Sequence, residues 1–445
     1  MARKQKVSYV CSACGASFGS WAGKCLDCGE WNTIQEQLNV STEMARSSGK
    51  KIELANIDDV VKSKPIERIR VEIGDVDDVL GGGIVPGSVT LIAGQPGIGK
   101  STLLMQISAS VAKRKKVIYI SGEESAEQVA MRASRLGASG SGLVLATSTN
   151  ANDIAATISS EKVDLVIIDS IQTLSCSEIA SAAGSVSQIT NSTQLITTAA
   201  KRSGIALLIV GHVTKEGSIA GPKVLEHMVD VVLQLEGDRY GGFKVLRAVK
   251  NRFGSTNEAS IFDMVEEGLR PVDNPSAALL EERQVSDGSV VLATIEGTRP
   301  LLVEVQALVN TSTYGYPKRA SSGFDLNRLN LLVAVLEKRT KLNLSDKDIY
   351  INIVGGIKIS DPAADLAVCM AIGSAAKGLK LSQDAVIYGE VGLSGEVRHV
   401  PHAEKRLAEA KKLGFDLAIG PRLNKKQSFQ REVRDVKEAL NSFLK

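Results

Sequence analysis

"GSVTLIAGQPGIGKSTLLMQISASVAKRKKVIYISGEES", residues 87–125, reads as strand, glycine-rich loop, helix and second strand. Within it, Gly94, Gly99, Lys100 and Ser101 complete the pattern GxxxxGK[ST], with the apolar strand "VTLIA" before it and an apolar-periodic helix after it. The physics of that loop is specific. Glycines let backbone N–H groups close around a β-phosphate at the helix N-terminus, where the dipole favours an anion. Lys100 then reaches the β- and γ-phosphates, and the Ser101 hydroxyl serves Mg²⁺. The expected ATP-binding set is Gly94, Gln95, Pro96, Gly97, Ile98, Gly99, Lys100, Ser101 and Thr102.

Outward from the loop, "VDLVIIDSIQTL" is a continuous apolar strand ending in Asp169, as expected of a buried parallel strand. In isolation Asp169 is a strand cap; beside the loop it reads as a second Mg²⁺ residue, acting through the ion's water shell. Glu123 and Glu124 directly follow the strand "KVIYI", where a carboxylate can polarise an attacking water. Glu123 is the first candidate for the general base and Glu124 the second, because one residue of slip in the turn exchanges them. The competing reading makes both helix N-terminal acids, since "SGEESAEQVAMRASRL" starts a helix. "GIALLIVGHVTKEG" supplies a further buried strand, and His212 at its end is either a γ-phosphate sensor or an ordinary loop histidine. Together these features describe an α/β, RecA-like core over residues 60–275, closed by an antiparallel section.

The last of those strands, "GGFKVLRAV", runs into "KNRFG" (250–254). Lys250 and Arg252, two apart on an extended chain, point to the same face, with Asn251 between them and Phe253 and Gly254 forming the turn behind.

Four of the six cysteines fall in "CSACGASFGSWAGKCLDC": Cys11, Cys14, Cys25 and Cys28, two CxxC knuckles ten residues apart. Four thiolates so spaced fit a closed tetrahedral Zn²⁺ site, and each knuckle is followed by a glycine (Gly15, Gly29) that lets the backbone fold tightly. With no open position the zinc is structural, and it supplies the folding energy of a ribbon over residues 1–37. Residues 38–59 are polar and aperiodic, and read as a linker. Cys176 and Cys369 are isolated packing residues.

The chain of 445 residues is too long for one core. No apolar run reaches membrane-spanning length and "MARKQKVSYV" lacks a secretory h-region, so a cytoplasmic protein without membrane contact is expected. A net charge of +3 is close to neutral at this size, so any nucleic-acid surface must be local.

The ribbon "CSACG…WAGKCLDCGEWNT", the loop "GQPGIGKST" and "KNRFG", in that order, resemble the bacterial RadA (Sms) family over essentially the whole chain. The resemblance implies a DNA-dependent ATPase of recombinational repair. It implies action on single-stranded and branched DNA intermediates alongside the RecA recombinase. It also implies a hexameric ring, related in architecture to the replicative helicase DnaB, with branch migration or helicase unwinding as its task. In such a ring the segments "CSEIASAAGSVSQ" (176–188) and "TKEGSIAGPKVLEH" (214–227), the latter with Lys215 and Lys223, would line the axis and follow phosphates without reading bases. Lys250 and Arg252 would reach the ATP of a neighbouring subunit as catalytic cations.

Residues 285–445 resemble the proteolytic domain of Lon-type proteases, in the helix start "DPAADLAV" and the hairpin "GEVGLSGEVR". The Ser–Lys dyad of that family is missing. Ala363 stands where the nucleophile belongs and Glu404 at the expected position of the lysine, and an alanine cannot attack a carbonyl. An α+β, non-proteolytic, Lon-protease-like scaffold is therefore expected, with "YPKRASSG" (316–323) and "EKRLAEAKKLG" (404–414) as basic stretches. Two further readings share these motifs: an ATP-dependent protease, against which the missing serine speaks, and a RecA-fold regulatory ATPase without a DNA role.

Overall fold

The structure, a computed structural model, describes residues 7–12, 14, 16–38, 56–57, 67–212, 224–237, 242–312, 316–423 and 427–445. Lys215 and Lys223 lie outside the described residues, as does most of the 38–59 segment. The chain forms two compact units: residues 1–72, 80–233 and 249–254 in the first, residues 73–79, 234–248 and 255–445 in the second.

The first unit opens with three short antiparallel strands, β1 (Val7–Cys11), β2 (Ser17–Phe18) and β3 (Ile34–Leu38), in the order β2-β1-β3. Its core sheet then takes β4 (Val89–Gly94), β5 (Val117–Ser121), β6 (Val144–Thr147), β7 (Leu165–Asp169) and β8 (Ala206–His212), with parallel order β4-β8-β7-β5-β6. β4, β5 and β7 are buried at every position, which is why they read as unbroken apolar runs rather than alternating ones. The connecting helices are α1 (Lys100–Ala112), α2 (Ala126–Arg135), α3 (Ala151–Ser160) and α4 (Val186–Ser203). Sequence sets their ends. Ser125 and Gln128 form a capping box at the start of α2, and Ser185 caps α4, which stops at Gly204 in the left-handed region. Short α5 (Val224–Met228) and β9 (Val231–Gly237) complete the run.

β10 (Lys244–Asn251), β11 (Ala259–Val265) and β12 (Gly268–Pro271) form antiparallel ladders. The second unit adds α6 (Pro275–Leu280) and a mixed seven-stranded sheet. Its members are β13 (Ser289–Glu296), β14 (Arg299–Thr311), β15 (Arg319–Ser322), β16 (Lys347–Ile353), β17 (Ala385–Ile387), β20 (Leu417–Gly420) and β21 (Gln430–Glu432). A separate hairpin pairs β18 (Glu390–Val391) with β19 (Val397–Arg398). Helices α7 (Leu326–Thr340), α8 (Ala364–Lys377), α9 (Ala403–Lys412) and α10 (Val436–Phe443) accompany it. α8 is buried from Ala364 to Ser374 and forms the spine of that unit's core. No helix among the described residues is long and apolar enough to cross a membrane.

Candidate functional site

The parallel register brings the ends of four strands to one edge. Gly94, ending β4, pairs with His212, ending β8, and Asp169, ending β7, pairs with Ser121, ending β5. In open α/β sheets ligands bind in the crevice beyond these carboxyl ends. The glycine-rich loop runs from β4 into α1 there.

Gly97 and Gly99 adopt positive φ (80° and 112°), a conformation a side chain resists, and nothing lies within 4 Å of where a Cβ on Gly97 would sit. Gly99 is also the N-cap of α1 and supplies no side-chain cap, so the first N–H groups of the helix point at an open cradle. Lys100 is buried, and its Nζ donates to the carbonyls of Gly94 (2.9 Å) and Gln95 (3.0 Å), which holds it against the loop.

Across the crevice, Tyr119 of β5 donates to Asp169 Oδ2 at 2.5 Å. Burial, with the Asp169 charge beside it, pushes the Tyr119 phenol well above its ordinary range and keeps it a donor. Asp169 Oδ1 makes no hydrogen bond to any described residue. A nearly buried carboxylate at the strand end beside the glycine-rich loop suits a Mg²⁺ and its water shell.

The two glutamates occupy different settings. Ser170 donates to Glu123, which keeps that carboxylate beside Asp169. Glu124 pairs with Arg132 of α2, whose Nη1 lies 3.3 Å from Oε1, and Arg132 Nη2 stands 3.9 Å from Asp169 Oδ2. Both acids precede the N-cap Ser125, so neither belongs to the first turn of α2; the acid in that turn is Glu127. Arg132 was not singled out from sequence. Its only signal there is a helical position eight residues beyond Glu124.

The backbone of His212 borders the loop, whereas its side chain lies outside the described residues. The segment 176–188 folds around buried Gln188, whose amide accepts from Cys176 N and donates to the carbonyls of Ile179 and Ser181.

At the end of β10 the two cations part company. Lys250 Nζ donates to Glu226 O (2.5 Å) and Val229 O (2.8 Å), closing off α5. Burial, with Arg252 nearby, pulls its ammonium below the ordinary lysine value. The Arg252 side chain is 55% exposed and holds Asp230 Oδ1 at 3.1 Å by one nitrogen. Asp230 is itself fixed by Val89 N and Lys201. Asn251 Oδ1 accepts from Phe253 N, forming a turn around Arg252.

In the ribbon the Sγ atoms of Cys11, Cys14, Cys25 and Cys28 lie within 4.8 Å of one another, with Cys11–Cys28 at 3.7 Å and Cys14–Cys25 at 3.6 Å. Tetrahedral zinc with Zn–S of about 2.3 Å requires sulfur–sulfur edges of about 3.8 Å, close to the two short pairs here, so the four thiols fit such an ion. A backbone hydrogen bond from Ala16 lowers the Cys14 thiol, but desolvation and the three neighbouring sulfurs prevail and push it up to about 12. A bound cation would reverse that order by favouring the thiolates.

In the second unit Ala363 is fully buried among Val291, Tyr388, Ala403 and Leu407, an apolar core rather than a cleft. Glu404 lies on the exposed face of α9, while the buried face carries Ala403, Arg406, Leu407 and Ala410 at helical spacing. Arg406, 2% exposed, is therefore the cation that turns inward, with Nη1 2.6 Å from Asp361 Oδ2 and 2.8 Å from Ala293 O.

Sequence comparisons agree with this layout. Residues 9–36 match the rubredoxin metal binding domain, residues 59–218 the AAA domain, and residues 328–424 the subunit ChlI of Mg-chelatase. The DNA repair protein RadA of Aquifex aeolicus is 47% identical over 419 residues, covering 94% of each chain. The chain belongs to the RadA family of DNA repair proteins. RadA of Bacillus subtilis is likewise 47% identical, over 95% of this chain and 93% of that one. A solved structure described as the RadB recombinase aligns at 22% identity with a TM-score of 0.38, covering 46% of this chain and 100% of that one. The RadA architecture is thus a four-cysteine zinc ribbon, a RecA-like ATPase core and a ChlI- and Lon-like C-terminal domain, as the motif order implied.

Proposed function

We propose that the chain is a DNA-dependent ATPase that acts on branched recombination intermediates, as a hexameric ring working with the RecA recombinase to drive branch migration or unwinding. The observation that carries this reading is the meeting of the glycine-rich loop, Asp169 and Glu123 at one sheet edge, together with a half-exposed Arg252 at the end of β10.

In this reading residues 94–102 hold the nucleotide. The N–H groups at the start of α1 take the β-phosphate, and Lys100 leaves its carbonyl partners for the β- and γ-oxygens. Ser101 and Asp169 would hold Mg²⁺, which when bound would neutralise charge on the phosphates. Glu123 orients the attacking water and accepts its proton, while Glu124 stays with Arg132 as part of the frame. Arg252 completes the site of an adjacent subunit, and Lys250 anchors the strand that presents it. The division into ribbon (1–37), linker (38–59), core (60–275) and C-terminal scaffold (285–445) goes with these roles, the scaffold helping to hold the ring.

An ATP-dependent protease is disfavoured by the burial of Ala363 in an apolar core. The test is a synthetic branched junction incubated with protein, ATP and Mg²⁺, with casein as a parallel substrate. Movement or release of strands with intact casein is expected. An unchanged junction, or digested casein, overturns the reading.

A further inference from the structure

Three consecutive glycines, Gly81 to Gly83, belong neither to the nucleotide loop nor to a connecting turn of the core sheet, and the roles above leave them unexplained. Their surroundings explain them. A Cβ on Gly81 would lie 2.9 Å from Gly254 Cα and 3.3 Å from Phe253 O, and a Cβ on Gly254 would lie 2.7 Å from Gly81 Cα. Main chain here packs directly on the main chain of the "NRFG" turn, with no room for a side chain on either side.

Arg68 stitches the two together. Its Nη2 donates to Phe253 O at 2.8 Å, and its Nη1 reaches Leu80 O and Gly83 O, both at 3.4 Å. Next to it, Ile69 and Ile84 exchange backbone hydrogen bonds at 2.8 and 2.9 Å and fix the base of the glycine segment. A guanidinium is suited to this task, because its planar fork of donors serves several acceptors from one rigid group. The carbonyl that it grips belongs to the residue directly after Arg252.

We propose that Arg68 is a positioning residue for Arg252: with the Gly81–Gly83 cradle it sets the direction in which the exposed cation leaves the subunit. The proposal rests on the reading of Arg252 as a cation serving a neighbour's nucleotide. Arg68→Lys keeps the charge but offers one nitrogen where the guanidinium uses two, Nη1 on Leu80 O and Gly83 O and Nη2 on Phe253 O. Alanine at position 254 opens the same joint from the opposite side.

The test uses the full-length chain and three variants, Arg68→Lys, Gly254→Ala and Arg252→Ala, each mixed in turn with Lys100→Ala subunits, and the first two also with Arg252→Ala subunits. Misaiming a catalytic group by an ångström costs up to about 10²-fold in rate, so Arg68→Lys and Gly254→Ala should lose roughly 10- to 100-fold in kcat. Their ATP affinity should be unchanged. Each should regain turnover when mixed with Lys100→Ala subunits, whose glycine-rich loop is disabled but whose Arg252, the finger that reaches the neighbour, is intact, and none when mixed with Arg252→Ala. A defect that merely loosened the fold would follow no such pairing rule. If Arg252→Ala is rescued by Lys100→Ala but the Arg68 and Gly254 variants are not, or if they keep full kcat, the positioning role is wrong and the finger stands. If Arg252→Ala is not rescued either, the finger reading falls and this proposal with it.

Discussion

Glu123 and Glu124 are chemically identical neighbours, and their partners separate them. Ser170 holds Glu123 at the mouth of the crevice, and Arg132 neutralises Glu124. Glu123→Gln should therefore bind ATP but turn it over at least about 10²-fold more slowly, the contribution expected of a general base. Glu124→Gln should keep most of its activity; equal losses in the two variants, measured by phosphate release, would contradict the assignment. Lys100→Ala should lose roughly 10²–10³-fold in kcat, as removal of one preorganised charge from a transition state does. The tandem glutamates were legible in the sequence because a strand end precedes them. Their different partners were not, because those contacts come from residues 132 and 170, brought there by α2 and the end of β7.

At the scale of elements, the ribbon and α9 make contrasting cases. Cysteine spacing alone gives the metal centre, because two CxxC knuckles admit few geometries. One zinc per chain is expected by metal analysis, and Cys28→Ser should release it while the core continues to hydrolyse ATP. Loss of hydrolysis together with the metal would contradict that modularity. In α9 the spacing of Ala403, Arg406, Leu407 and Ala410 marks the buried face, so the helix turns Arg406 inward and leaves Glu404 outside. Burial alone would push Asp361's carboxyl up, but Arg406, Ala363 N and Ile295 N hold it below the ordinary carboxylate range. A depressed folded value means that the stabilisation is present above about pH 4, the unfolded value, and is lost as pH falls through the lower folded one. Arg406→Ala should cost about 3–5 kcal/mol by leaving Asp361 buried and unpaired. Thermal unfolding followed from pH 7 down to pH 3 checks both; wild-type stability that holds constant across the acid range would contradict the pairing.

For the whole molecule, the order of motifs along the chain carried most of the architecture: cysteine knuckles, phosphate loop, apolar strands and an alanine where a nucleophile would stand. What the sequence withheld is how distant segments meet, as in Arg68 reaching Phe253 across 185 positions. Introducing the missing serine, Ala363→Ser, should not create casein hydrolysis, because that position is sealed in an apolar core. The same enclosure fits a domain that serves as scaffold while the chemistry is done at the edge of the parallel sheet.

The central claim, that DNA governs ATP hydrolysis through a cation supplied across subunits, is tested most directly by one rate. Steady-state ATP hydrolysis should be measured with and without single-stranded DNA, for the unaltered chain and for Arg252→Ala. The account predicts that DNA accelerates the unaltered chain, and that Arg252→Ala, still binding ATP and DNA, loses nearly all of that acceleration, a cation of this kind being worth roughly 10³–10⁵ in rate. A rate indifferent to DNA in the unaltered chain, or full acceleration in Arg252→Ala, would contradict it.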